Sequence, residues 1–359
     1  MVKWAAMKTY LFILVGLVTF LLLGLAFSAQ APSPQEIPNP QVERQSEPCG
    51  PRPPENSIHG KRGVYLTAYA AANSAILSEV LAQSARFGLN AIVIDVKNNE
   101  GEVCYSSQVP KARALGAVRP LLDLAKLVQE LHRRGFYMIA RTVVFYDPIL
   151  AKSLGVPTAP WVLPTEAEAA SYNLAIAQEV EGLGVDEIQF DYIRFPDDGP
   201  IGPSYSARCA AVEAFLSRAK SVLSVPISAD VYGRVMWLWN AQKIDPIGQN
   251  LEGIARIVDV VSPMLYPSHF VEPELKADPY GTVLRTMAHG KARVRAPLRP
   301  YLQAFSMAIP SGMSLPEYIL AQIKAAEESG ADGYLFWNPK ADYSGLWQAL
   351  NLAQKERGP

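Results

Sequence analysis

From residue 61 to the C-terminus the chain alternates between two hydrophobic periods. Short runs that are continuously apolar, or apolar at every second position, predict strands, and longer stretches with apolar residues three and four apart predict helices. The strand-like runs fall at 63–68, 90–96, 136–144, 184–196, 226–231, 257–266, 299–305 and 333–337. Helical patterns lie at 74–87, 121–134, 165–182, 206–223, 314–329 and 344–355. Pro120 precedes one helix and Gly135 closes it, while Thr165-Glu166-Ala167-Glu168 and Ser314-Leu315-Pro316-Glu317 have the form of capping boxes. The run Ala91-Ile92-Val93-Ile94-Asp95-Val96 is apolar almost throughout, as in a parallel strand covered on both faces.

Eight strands alternating with helices predict an α/β fold, a closed (β/α)8 TIM barrel. A doubly wound open sheet would carry a glycine-rich phosphate turn after its first strand. Here that place is taken by Tyr69-Ala70-Ala71-Ala72-Asn73, and the chain holds no P-loop. No nucleotide or other cofactor is expected. In the fourth run Ile188, Phe190 and Tyr192 share one face, and Gln189, Asp191 and Ile193 the other, before Pro196 stops the strand. Asp191 therefore stands near the C-terminal end of a buried strand, where barrels carry their chemistry. An acid there can also do no more than cap the next helix.

Ahead of this pattern, residues 1–29 hold Lys3, Lys8 and an apolar run at 10–27, the form of a cleaved signal peptide or an uncleaved membrane anchor. Either way the positive residues stay inside, so the remainder is expected to be exported. Residues 30–59 are proline-rich and predict an extended linker. The barrel is assigned to 60–357.

A net charge of −1 argues against a nucleic-acid binder. The three cysteines form no CxxC pair; a Cys49–Cys104 bridge is conceivable, but buried or free thiols fit as well. Four histidines without HExxH or HxH predict no metal site, and no GxSxG supports a serine hydrolase.

Residues at the strand C-termini converge on one mouth of a barrel. They include Asp95 and Lys97, Arg141, Asp191 and Arg194, Asp230 and Tyr232, Tyr266, and Trp337, with Tyr65 on the first strand. Trp237, Trp239 and His269 follow further out. Acids close the second, fourth and fifth strands, and aromatics most of the others. Paired carboxylates suit glycosidic bond cleavage, one protonating the leaving oxygen and the other acting as nucleophile or as base for a water. Asp191 and Asp230, on neighbouring strands, are the expected catalytic pair. Asp95, Lys97, Tyr65, Arg194, Tyr232, Tyr266 and Trp337 are the expected substrate-binding residues, for a polysaccharide or oligosaccharide. A barrel that holds glycan without cutting it is the alternative.

Five blocks carry a resemblance: Gly63-Val64-Tyr65-Leu66-Thr67, Ala91 to Lys97, Phe190-Asp191-Tyr192-Ile193-Arg194-Phe195-Pro196, Ser228-Ala229-Asp230-Val231-Tyr232-Gly233 and Asp259 to Pro267. In this order they resemble the bacterial family described as the putative glycosyl hydrolase domain, which implies a sugar-active (β/α)8 barrel. Asp191 is similar to the strand-four nucleophile of α-amylase-like barrels, and Asp230 stands where those carry a glutamate acid. The DGxDxDxE run of chitinase-like barrels is matched in frame from Asp186, but Gln189 replaces one acid and Ile193 stands at the glutamate. That disfavours a substrate-assisted mechanism.

Overall fold

The structure is a computed structural model of the chain and describes residues 58–197, 202–242 and 245–357. The expected signal or anchor segment, Cys49 and the linker as far as residue 57 lie outside the described residues. No helix among the described residues is long and apolar enough to cross a membrane.

Ten strands form one sheet: β1 (Lys61–Leu66), β2 (Ala91–Lys97), β3 (Val103–Tyr105), β4 (Val118–Leu122), β5 (Tyr137–Val143), β6 (Glu187–Asp191), β7 (Ile227–Tyr232), β8 (Val260–Met264), β9 (Tyr301–Gln303) and β10 (Gly333–Trp337). Eight of them, β1, β2 and β5 to β10, pair in parallel. Because β1 bonds both β2 and β10, the sheet closes on itself. The predicted eight-stranded parallel barrel with flanking helices is what forms. Its seams are tight: a Cβ on Gly63 would stand 2.2 Å from the Ala91 carbonyl oxygen, and one on Gly333 would stand 2.0 Å from that of Lys61. Neither site has room for a side chain.

Strand parity divides the core in two. Ile92, Ile94, Met138, Ala140, Ile188 and Phe190 face the helices. Tyr65, Ala91, Val93, Tyr137, Ile139, Tyr301 and Leu335 fill the barrel interior. This period-two sorting is the physical content of the sequence pattern.

Three local expectations change. Residues 118–122 are not a helix start but β4, paired with β3 in a short excursion that leaves the ring at the Lys97–Val103 pair. Pro120 sits in that strand, and the following helix, Leu124–Arg133, is capped by Asp123 accepting from the Lys126 amide at 3.3 Å. At the helix Ala167–Gly182 no side-chain cap forms, because the helix starts one residue later than the box requires and Glu166, not Thr165, is at its N-cap; Glu168 instead pairs with Lys111. The second capping box does form: Ser314 and Glu317 bond each other's backbone amides at the start of the helix Leu315–Glu328. Strands six and seven of the ring, Val260–Met264 and Tyr301–Gln303, are shorter than predicted. Cys104 and Cys209 are buried thiols.

Candidate active site

On β6 the inward positions are Glu187, Gln189 and Asp191, so the last of them reaches the C-terminal mouth. The backbone then turns sharply. Tyr192 has a φ of 53°, a left-handed conformation uncommon outside glycine. This turn breaks the strand parity and sends Ile193 outward into the core beneath the helices. It also brings the Tyr192 amide onto Asp191 Oδ1 at 2.6 Å.

Asp191 Oδ2 accepts from both Nε (3.0 Å) and Nη2 (2.6 Å) of Arg141 on β5. Arg141 is 2% exposed and sits between two acids, since its Nη1 donates to Asp95 Oδ1 at 2.6 Å. Asp95 in turn accepts from the Tyr65 hydroxyl at 2.6 Å. The register makes the triad possible, because Asp95 is level with Arg141 and Asp191 with Val143. Arg141 also lies over Trp337, 5.0 Å from its ring, and Trp337 stacks on Tyr65 at 3.8 Å. Burial pushes the Asp95 carboxyl up, against the pull of Arg141.

Asp230 on β7 is placed differently. The β6–β7 register runs through Phe190 and Ala229, so Asp191 and Asp230 follow as neighbours across the sheet. Asp230 is 1% exposed, and its Oδ1 has no hydrogen-bond partner. Burial holds its carboxyl well above the usual carboxylate range, reinforced by the negative charge of Asp191 and opposed by Arg141. Gln249 pins this strand end by donating to the Asp230 carbonyl (3.1 Å) and accepting from the Tyr232 amide (3.0 Å). The phenols of Tyr266 and Tyr301 are pushed well above their ordinary value by burial and by the Asp230 charge, so both stay neutral.

Asp191 and Asp230 open onto a cavity of about 890 Å³. Of the expected substrate-binding residues, Arg194, Tyr232, Tyr266 and Trp337 line it. The Arg194 guanidinium lies between Trp161 and Tyr232, 4.5 Å from each ring, and is tied to Asp197 at 3.0 Å. His269 also lines the cavity; burial lowers its pKa, so it is neutral, and it bonds Ser268 at 2.9 Å.

The structure does not bring Asp95, Lys97 and Tyr65 to the cavity wall. Asp95 and Tyr65 stand behind Arg141. Lys97 is fully buried and points away: its ammonium donates to the Val143 carbonyl at 2.8 Å and forms an ion pair with Asp147. The reason is an irregularity in the β2–β5 register, which steps from Asp95–Arg141 to Lys97–Thr142 and so reverses the side-chain face between Asp95 and Lys97. Arg141 is the residue whose weight sequence reasoning missed. Its parity matched Asp95 and Asp191, but only ring closure shows that it bridges them. Among the described residues no group of three or more acids, histidines or cysteines is arranged to hold a metal.

A closed parallel barrel with buried carboxylates and aromatics at its C-terminal mouth defines a barrel of the glycoside hydrolase type. Residues 63–343 match the family model described as "putative glycosyl hydrolase domain", and the chain belongs to that family. Solved structures share the fold. The PgaB (BpsB) glycoside hydrolase domain from Bordetella bronchiseptica is 13% identical, covering 82% of this chain and 99% of its own, at a TM-score of 0.59. The endo-1,4-beta-mannanase from Rhizomucor miehei is 11% identical, covering 84% and 96%, also at 0.59. The endo-1,4-beta-D-mannanase from Thermotoga petrophila is 11% identical, covering 77% and 88%, at 0.54. No curated protein sequence matches the chain.

Proposed function

We propose that this barrel hydrolyses glycosidic bonds of a polysaccharide outside the cytoplasm, with Asp230 as general acid and Asp191 as nucleophile or base. The observation that carries the proposal is the unequal treatment of two neighbouring acids. Asp191 is held at two points by the Arg141 guanidinium. Asp230 has an unpartnered buried oxygen and a raised pKa, which favour its protonated form. A buried carboxyl without a partner beside one bound by a guanidinium suits a proton donor and its counterpart. Neighbouring strands stand about 5 Å apart, and carboxyls carried on them suit either a nucleophile or a water-activating base. Arg194, Tyr232, Tyr266 and Trp337 would contact the sugar. Asp95, Tyr65 and Lys97 would act from behind, fixing Arg141 and the strand ends. The extracytoplasmic setting rests on the apolar N-terminal run and the linker after it.

Glycan binding without cleavage is the second reading. It is favoured by the engagement of both Asp191 oxygens, which dampens a nucleophile. Both are tested by exposing a panel of soluble polysaccharides to the protein, Asp191→Asn and Asp230→Asn, and resolving the products. Hydrolysis lost in both variants is the expected result. Unchanged turnover in either would sink the assignment, and binding without products from the wild type would select the second reading.

A further inference from the structure

The catalytic pair occupies only part of the cavity. Its volume, about 890 Å³, lies near the top of the roughly 300–1,000 Å³ that enclose a drug-sized ligand, so it exceeds one sugar ring. The rest is walled by the segments after β7 and β8, and Trp237, Trp239, Phe270 and Val271 form one bank. Val271 is 82% exposed, and Leu238, between the two tryptophans, is 52% exposed. This bank is continuous with the mouth where Tyr232 and Tyr266 flank Asp230.

Trp237 is built into place rather than left to pack. Its indole Nε1 donates to Thr286 Oγ1 at 3.1 Å. One ring face is stacked on His289 at 4.5 Å and 28°, and Phe270 meets it edge-on at 6.5 Å. Its carbonyl accepts from Arg293 at 2.8 Å. His289 is not part of the cavity wall, so the cavity reaches Trp237 from a side other than the one His289 covers. A ring held by three contacts has little freedom left to lose when a ligand stacks on it, which is how preorganisation raises affinity. Around this bank the arginines are already engaged: Arg194 and Arg234 hold Asp197, and Arg285 holds Asp278. A fixed aromatic face beside paired charges suits a neutral, flat-faced ring better than an anion.

We propose that Trp237 and Trp239 form a distal subsite for the sugar units beyond the reacting one, making the substrate an oligosaccharide chain that runs from Asp230 along the segments after β7 and β8. The proposal rests on the glycosidase reading for its direction, but its test is a binding measurement, so the two can fail separately. The probes are cello-, manno- and chito-oligosaccharides from the disaccharide to the hexasaccharide, titrated calorimetrically into Asp230→Asn. The expected result is that at least one series binds more tightly with length. Adding Trp239→Ala should weaken the longest probe about tenfold and leave the disaccharide within about twofold. Trp237→Ala should behave likewise, while Trp237→Phe, which keeps a ring and guards against a folding defect, should retain most of the affinity. Equal weakening at every length, no weakening, or no binding of any probe would overturn the subsite. Length-dependent binding beside a wild type that cleaves nothing would uphold it while removing the catalytic reading.

Discussion

At the N-terminal end of the barrel interior, Glu187 is enclosed by complementary groups. It takes a bond from Tyr137 at 3.2 Å, another from Ser228 at 2.5 Å, and an ion pair with Arg299. Both charges of that pair are fully buried, and the spare groups are donors, Nε and Nη1 of Arg299. At the C-terminal end, the same inward face of the same strand ends in Asp191. There Asp95 and Asp191 share one guanidinium, while Asp230 has an oxygen without a partner and a cavity in front of it. One end matches each ion with a counter-ion. The other keeps a surplus of carboxylate. Equal burial therefore does not mean equal purpose: a buried acid with a full set of partners holds the fold together, and one without is available for a proton transfer.

The sharpest way to break this contrast is to change one acid at each end. Asp230→Asn should lower kcat/KM on a cleaved glycan by about 10²–10⁴, the range for loss of a general acid. Glu187→Gln should leave the mouth chemistry in place and instead lower unfolding free energy by about 3–5 kcal/mol, because Arg299 is left buried without its counter-ion. Denaturant unfolding and steady-state kinetics on both variants separate the two effects. A Glu187→Gln protein that is fully stable, or an Asp230→Asn protein that is fully active, would erase the distinction.

Arg141→Met tests the shared guanidinium. It strands Asp95 and Asp191 together and should also destabilise by about 3–5 kcal/mol. Tyr65→Phe is milder. It removes one hydroxyl donor from Asp95 and should cost about 1.5–3 kcal/mol, with cleavage affected less than by Asp230→Asn.

The smallest effect is a pH dependence with a definite sign. A carboxyl whose folded pKa is raised is deprotonated first in the unfolded chain, so stability falls as pH climbs from about 4 toward the raised value. Asp230→Asn removes that loss. Its melting temperature relative to wild type should rise between about pH 4 and pH 7, and wild-type activity should persist above the ordinary carboxylate range before falling. A melting difference that shrinks with pH would show that Asp230 is ionised without penalty.

The alternation of Ile188 and Phe190 with Gln189 and Asp191 was enough to place the acid inside the barrel, and the count of eight strands was enough to close it. Short elements were harder to see. Strands β3 and β4 are three and five residues long and carry too little periodicity to register. A register slip between Asp95 and Lys97, just before this excursion, turns Lys97 from a mouth residue into a buried partner of Asp147. The Thr165 box failed because the helix begins at Ala167 with Glu166 at its N-cap, one position past Thr165.

The sequence alone determined which face the regular strand residues occupy, because side-chain parity is a property of the chain's own covalent geometry; Lys97 and Ile193 escaped it where the register slips and where Tyr192 turns left-handed. It thereby determined that Asp95, Arg141, Asp191 and Asp230 all lie on or near one inward surface. Only the tertiary structure decided how they pair. Arg141 meets Asp95 and Asp191 because the registers of three adjacent strands align them, and Asp230 is left with an unpartnered oxygen because it lies one strand further round. Which acid meets a guanidinium and which keeps a bare oxygen follows from distances between segments far apart in the chain, and no local pattern encodes those.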